Sequence, residues 1–208
     1  MKSLLHPCYF GTIAQYVAIA KSEEVIFEVS DNFQKQTFRN RTYVYGANGK
    51  LMLNLPILHS GIKGAKRLYK DIQIEHQFNT LNIHWKSLES AYRTSPFFEF
   101  YEDDLHPLFE SKEKFLLDFN MKANAFVCDN LGIEPKVTHT ENYKATYDSK
   151  EINDLRNLTI SKQPLSTSLE DYLQVFSDKH GFISNLSVLD LLFNLGPEAI
   201  NYLERQDM

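Results

Sequence analysis

Residues 41–57 read RTYVYGANGKLMLNLPI, and no other stretch of the chain limits the fold as tightly. Two runs of β-forming residues flank a short polar turn. Asn48-Gly49 is the dipeptide that supplies the positive φ angles of a tight hairpin turn. Residues 39–58 are therefore predicted to form a β-hairpin, and any fold for this chain must accommodate an antiparallel pair near its front.

The segments around the hairpin alternate in type. SLLH (3–6) reads as a short buried strand, and residues 9–23 carry apolar positions at helical spacing. EEVIFEVS (23–30) reads as a second strand, which makes a β-α-β start. Residues 59–71, with two glycines and several basic side chains, read as a mobile basic loop, and IQIEH (72–76) as another short strand. In 78–95, Phe78, Leu81, Trp85, Leu88 and Tyr92 mark one face of a helix that Pro96 ends. A further amphipathic helix over 112–132 closes at Gly132. Residues 134–170 are polar and weakly patterned, so a loop-rich segment is expected at about 139–170. After a strand-like start at 172, Gly181 breaks the chain. A helix then enters through Asn185 or Ser187, and Pro197 opens a last short one. The expectation is mixed α/β architecture in one compact domain, residues 1–208.

Composition narrows function by exclusion. The chain carries 22 Lys and Arg against 27 Asp and Glu, a formal charge of −5. Nucleic-acid binding needs a positive footprint, so no nucleic-acid partner is expected. No run approaches the length of a membrane span, and MKSLLHPCYF lacks the apolar core of a secretory leader, so a cytoplasmic protein with reduced thiols is expected. Its two cysteines, Cys8 and Cys128, form no C-x-x-C pair, and the seven histidines show no ligand spacing; neither a metal nor a cofactor is expected. The 11 tyrosines exceed what a core alone requires and suit a polar, ring-lined pocket.

No standard catalytic motif is present, so any chemistry must come from residues gathered by folding. Three clusters are candidates. Lys35, Arg39, Asn40 and Arg41 can grip a phosphate or carboxylate, with the amide reading a hydroxyl; the alternative is an edge-strand charge cluster paired with nearby acids. His84 on the aromatic helix, near Tyr92, offers an imidazole; the alternative is a packed helix residue. Lys179, His180 and Asn185 sit at a chain reversal before a helix entrance that suits an anion; the alternative is simple capping with a solvent-facing histidine. In HPCYF (6–10) a histidine stands two residues from Cys8, which raises the question of a nucleophile with its base.

Taken in order, several segments resemble the WbqC-like family. Its N-terminal pattern, roughly Q-P-x-Y-[LF]-P, is met here by His6-Pro7-Cys8-Tyr9-Phe10-Gly11. KQTFRNR, GKLMLNLPI, WKSLESAYRTSPFFEFY, FLLDFN and LGI follow in the family's order, and FSDKHGFISNLSVLDLLFNLGPEAINYL resembles its shorter bacterial branch. Two departures stand out: His6 replaces the usual Gln, and Gly11 a common Pro. Cys8 falls on the open position of the pattern, which argues against a covalent nucleophile there.

The resemblance implies a role in bacterial surface-polysaccharide biosynthesis of the O-antigen type, with acyl or aminoacyl transfer to an amino sugar. A nucleotide-linked amino sugar would suit Lys35, Arg39 and Arg41 as anion grips, with His6, Tyr9, Asn40, Tyr92, Lys179 and Asn185 as further substrate contacts. His180 or His84 would serve as general acid or base. The competing expectation is a non-catalytic small-ligand-binding or accessory protein of such a pathway. If the residues act together, Arg39, Asn40, Arg41, Tyr9 and a histidine should face one concave pocket.

Overall fold

The computed structural model describes residues 1–59, 66–163, 165 and 168–207, so much of the expected basic loop (60–65) lies outside the described residues. The chain opens as β1 (Lys2–Leu5), α1 (Ile13–Ala20) and β2 (Glu24–Phe27), with β1 and β2 paired in parallel from Lys2 opposite Glu24 to Leu5 opposite Phe27. Ser3, Leu4 and Leu5 are all buried, as in a parallel strand covered on both faces. Helix α1 starts later than its apolar spacing suggests. Phe10 adopts a left-handed φ of 42°, and Thr12 then caps the helix by accepting from the Gln15 amide. The Phe10 carbonyl accepts from the Thr42 and Ser187 hydroxyls, both at 2.9 Å, which holds the strained turn in place.

The hairpin forms as β3 (Arg41–Gly46) and β4 (Gly49–Asn54), with Gly46 opposite Gly49. Its turn differs from the expected one, in which Asn48 and Gly49 supply the positive φ angles. Only Gly49 has a positive φ, 95°, and Asn48 does not, the pattern of an ordinary turn followed by a left-handed glycine. Four helices and two further strands complete the main frame: α2 (Thr80–Tyr92), α3 (Phe98–Phe109), α4 (Leu116–Leu131), β5 (Lys136–His139), β6 (Ile152–Asp154) and α6 (Val188–Leu195), with the short α5 (Ser177–His180) before α6 and α7 (Ala199–Arg205) after it.

Strand β5 ends where the expected loop-rich segment of about 139–170 begins, and β6 interrupts that segment. Both join the parallel sheet, in the order β5-β2-β1-β6, and at four and three residues they are too short to show a period in sequence. IQIEH makes only isolated bridges, Ile74 to Ile57 and Gln73 to Phe115, and is not a strand. The stretch from 172 is irregular as well, because Tyr172 and Gln174 turn their side chains onto Asp190 of α6 instead of pairing along a ladder. Phe78 lies outside α2 and is exposed, while Leu81, Trp85, Leu88 and Tyr92 are buried as their spacing predicts.

One apolar cluster joins these pieces, running from Leu5 and Ile13 through Val44, Leu88, Phe119 and Val127 to Leu191 and Leu203. The fold is mixed α/β, with a parallel sheet and a separate hairpin. The chain adds β2 and β5 on one side of β1 and returns to place β6 on the other. The carboxyl ends of β1 and β6 therefore flank a topological switch point, where open parallel sheets form a crevice.

Gly49→Ala tests the revised turn. A Cβ there meets nothing within 4 Å, so the cost is backbone strain alone. Urea unfolding is expected to show a loss of roughly 1–2 kcal/mol, whereas Asn48→Ala should change stability far less.

Candidate functional site

The switch-point crevice is a pocket of about 460 Å³. His6 enters it directly after β1, Asp31 from the loop beyond β2, and Asp154 and Arg156 from the end of β6. Thr159 ends the 3-10 turn that follows, Arg156–Thr159. Gln34, Thr37, Arg39 and Asn157 complete its polar lining, beside Tyr143 and Ile160.

Arg39 forms the floor and is only 1% exposed. Its Nη2 donates to Asp31 Oδ2 at 2.8 Å and faces His6 Nε2, its Nη1 donates to the Asn32 carbonyl at 3.0 Å, and the guanidinium lies over the Tyr69 ring. His6 is buried, with Nε2 also 3.2 Å from Asp31 Oδ2 and Nδ1 3.2 Å from the Thr159 hydroxyl. Burial holds the imidazole down at about 4, against the opposing pull of Asp31, so the ring is neutral at neutral pH. The tautomer that suits these neighbours accepts from Arg39 at Nε2 and donates to Thr159 from Nδ1. Burial alone would raise the Asp31 carboxyl, but its contact with His6 and the charge and hydrogen bond of the Arg39 guanidinium outweigh it and hold it at about 2.

Arg156 forms one wall. Its Nε and Nη2 donate to Asp154, and its Nη1 and Nη2 also donate to the Lys144 and Ala145 carbonyls at 2.9 and 3.0 Å. Tyr143 and Tyr147 each lie 5.4 Å from the guanidinium carbon, so the arginine ties the 143–147 loop to the end of β6. Beneath it lies Glu28, fully buried. Its Oε1 accepts from the Ser30 amide and the Thr140 hydroxyl, and its Oε2 sits 3.6 Å from Arg156 Nη1. Two ion pairs and a neutral histidine thus make a rigid site with carboxylates that stay ionised at neutral pH.

Of the residues singled out in sequence, this pocket gathers His6 and Arg39, and Lys35 is exposed beside the lining residue Gln34. The others go elsewhere. Asn40 faces away and donates to the Leu55 carbonyl at 2.9 Å, and Arg41 reaches along the hairpin to Met52. Tyr9 and His84 meet in the core, Oη to Nδ1 at 2.8 Å. Burial drives the phenol far up and the imidazole down to about 4. Tyr92 donates to the buried Asp190 carboxylate at 2.6 Å. Lys179 and His180 both reach the Ala47 carbonyl at the hairpin tip, and Asn185 accepts from Ala14 N at the start of α1. The expected convergence of arginines, Asn40, Tyr9 and a histidine on one pocket is therefore limited to Arg39 and His6.

Cys8 is buried, and burial pushes its thiol up to about 12, far from a reactive thiolate. Among the described residues no cluster of three or more His, Cys, Asp or Glu is arranged to hold a metal ion. Asp31, Asp154, Arg156 and Thr159 were not legible as site residues. For Asp154, Arg156 and Thr159 the signal, polar residues at and after a strand end, appears only once β6 is known to be a strand, and Asp31 stands in the loop beyond β2 with no pattern to mark it.

Two measurements check this description. Arg39→Ala removes the buried partner of Asp31 and His6, and is expected to cost roughly 3 kcal/mol of stability in chemical unfolding. His6 and His84 both bind protons more weakly folded than unfolded. Stability should therefore fall as pH drops from about 6.5 towards 4, by roughly 1 kcal/mol for each histidine at pH 5.5. His6→Gln should remove about half of that loss; an unchanged pH slope would contradict the buried neutral ring.

The WbqC-like protein family model matches residues 6–169, a span that includes every lining residue of the pocket and stops before Lys179, His180 and Asn185. The chain is also similar to a protein of Mycobacterium tuberculosis (strain ATCC 25618 / H37Rv), the uncharacterized protein Rv1507c, at 24% identity over 89% of each chain. No solved structure matches it. With four-fifths of its length under the family model, including the whole crevice between β1 and β6, the chain belongs to the WbqC-like protein family.

Proposed function

We propose that this protein is a transferase-like enzyme of bacterial surface-polysaccharide biosynthesis, acting as one unit over residues 1–208. It would bind a nucleotide-linked amino sugar and transfer an acyl or aminoacyl group to it. The observation that carries this reading is the location of a 460 Å³ polar pocket at the switch point of a parallel sheet, inside the segment matched by the family. A covalent enzyme intermediate is not required. An amine, once its ammonium form has given up a proton to solvent, attacks the carbonyl carbon of an activated acyl donor directly. The C–N bond forms, the bond to the donor's activating group breaks, that group leaves and the nitrogen sheds a second proton to water. Positioning alone supplies much of the acceleration. Rigidly paired groups such as Asp31–Arg39 and Asp154–Arg156 suit that task.

A second reading, a small-ligand-binding accessory protein, draws support from a specific observation. The groups in the pocket that could move protons are a neutral, buried His6 and carboxylates held low, while His84 and His180 lie elsewhere.

Thermal shift against a panel of nucleotide-linked amino sugars tests the binding claim. A ligand at a hundred times its Kd should add about 2.7 kcal/mol to the folded state. Tyr143→Ala, at a half-exposed pocket position, should abolish the shift while leaving the unliganded Tm close to wild type. Mass spectrometry of the bound sugar after adding activated acyl donors separates the two readings: a mass gain supports transfer, and unchanged sugar supports the accessory role.

A further inference from the structure

Both arginines of the pocket are already engaged. Arg39 is 1% exposed, and two of its nitrogens serve Asp31, His6 and the Asn32 carbonyl. Among the described residues its Nε has no partner, and it is itself sealed from solvent. The nitrogens of Arg156 are spent on Asp154, two backbone carbonyls and the approach of Glu28, and its side chain is 11% exposed. A phosphate entering this crevice would have to displace a carboxylate to reach either guanidinium, and buried ion pairs resist that exchange.

What the crevice presents outward is the other half of each pair. The Asp154 side chain is 33% exposed and that of Asp31 10%, each more open than its arginine. Both recorded contacts of Asp31 use Oδ2, so among the described residues Oδ1 is left for the pocket. With Glu28 counted beneath the wall, three carboxylates face two guanidiniums, and His6 adds no charge at neutral pH. Thr37, Thr159 and Asn157 add groups that both donate and accept, and the ring of Tyr143 forms an apolar side. The nearby cations lie outside: Lys35 is exposed on the adjoining loop, and Lys144 is exposed and turned over the Tyr147 ring.

We propose that the crevice binds its ligand through the ligand's hydrogen-bond donors, an ammonium group with neighbouring hydroxyls held by Asp31 and Asp154, and that any phosphate stays at the rim near Lys35. This rests on the reading of the protein as an amino-sugar transferase and assigns which end of that substrate enters. The arginines are then scaffold: they hold the carboxylates in position and contact no phosphate.

Asp154→Asn provides a test whose sign discriminates. Removing a negative charge weakens a cationic ligand and strengthens an anionic one. Titrations would use a nucleotide-linked amino sugar, the corresponding free amino sugar, the N-acetylated form of each, the nucleoside diphosphate and inorganic phosphate. Unliganded Tm serves as the control for folding, and Asp31→Asn as the second variant. The expected result is that both amine-bearing compounds bind, N-acetylation costs roughly tenfold or more, and each Asn variant weakens the amines by a similar factor. Binding of the nucleotide-linked sugar with undiminished affinity after N-acetylation, or tightened by Asp154→Asn, would overturn the proposal while leaving the transferase reading in place. Binding of free amino sugars alone, with the same dependence on Asp154, would support the proposal and remove the nucleotide-linked substrate from the functional reading. Absence of binding by every compound would overturn both.

Discussion

Arg39 is the largest fully buried side chain of the protein, and an ionised group sealed from water is tolerated only when its partners are fixed around it. That requirement reaches far. It draws Asp31 back from the loop after β2, sets His6 at the end of β1, and stacks Tyr69 against the guanidinium. The Arg39 carbonyl accepts from Asn120 of α4 at 2.7 Å, and Asn120 also donates to the Tyr69 hydroxyl, which in turn donates to the Pro7 carbonyl. One buried cation thus ties the central strand, the helix behind it and the pocket floor into a single unit.

His6 shows how such a frame accepts an unusual residue. The family resemblance places an amide at this position, and a glutamine offers one acceptor and one donor at the end of a short stem. A neutral imidazole offers the same pair, an acceptor towards Arg39 and a donor towards Thr159, provided it never charges. Burial keeps it neutral at neutral pH. His6 is thus held as a hydrogen-bonding bridge, and Cys8 beside it as an inert buried thiol whose Sγ donates to the His6 carbonyl. The dyad suggested by HPCYF dissolves into two separate structural roles.

A buried acid organises the carboxyl-terminal third. Asp190 accepts from Tyr92, Tyr172 and Gln174, and burial raises its carboxyl despite those donors. The network pins the irregular 172–176 stretch onto α6, and Tyr45 continues it by donating to the Phe176 and Gly181 carbonyls. Lys179 and His180, which suggested an anion site from their neighbourhood in sequence, serve as clasps on the hairpin tip. The family match ends at residue 169, before this region.

Local pattern was enough wherever the cause was local. Apolar spacing marked α2 and α4, Asn48-Gly49 marked the hairpin, and the order of apolar runs marked β1-α1-β2, because side-chain periodicity and turn chemistry act over a few residues. Arg39 and His6 could be singled out because an arginine before a strand and a histidine after one carry chemistry in any context. Alternation along an extended chain already set Asn40 on the opposite side from Arg39, but the sequence did not show that Arg39 would be buried, that Arg41 would part from it, or that Asp154, Arg156 and Thr159 would stand opposite His6. Those facts depend on β6 returning beside β1 from 147 residues away in the chain, counted from Leu5 to Ile152. A three-residue strand has no period to read, and only the backbone pairing of the folded sheet decides where it lies.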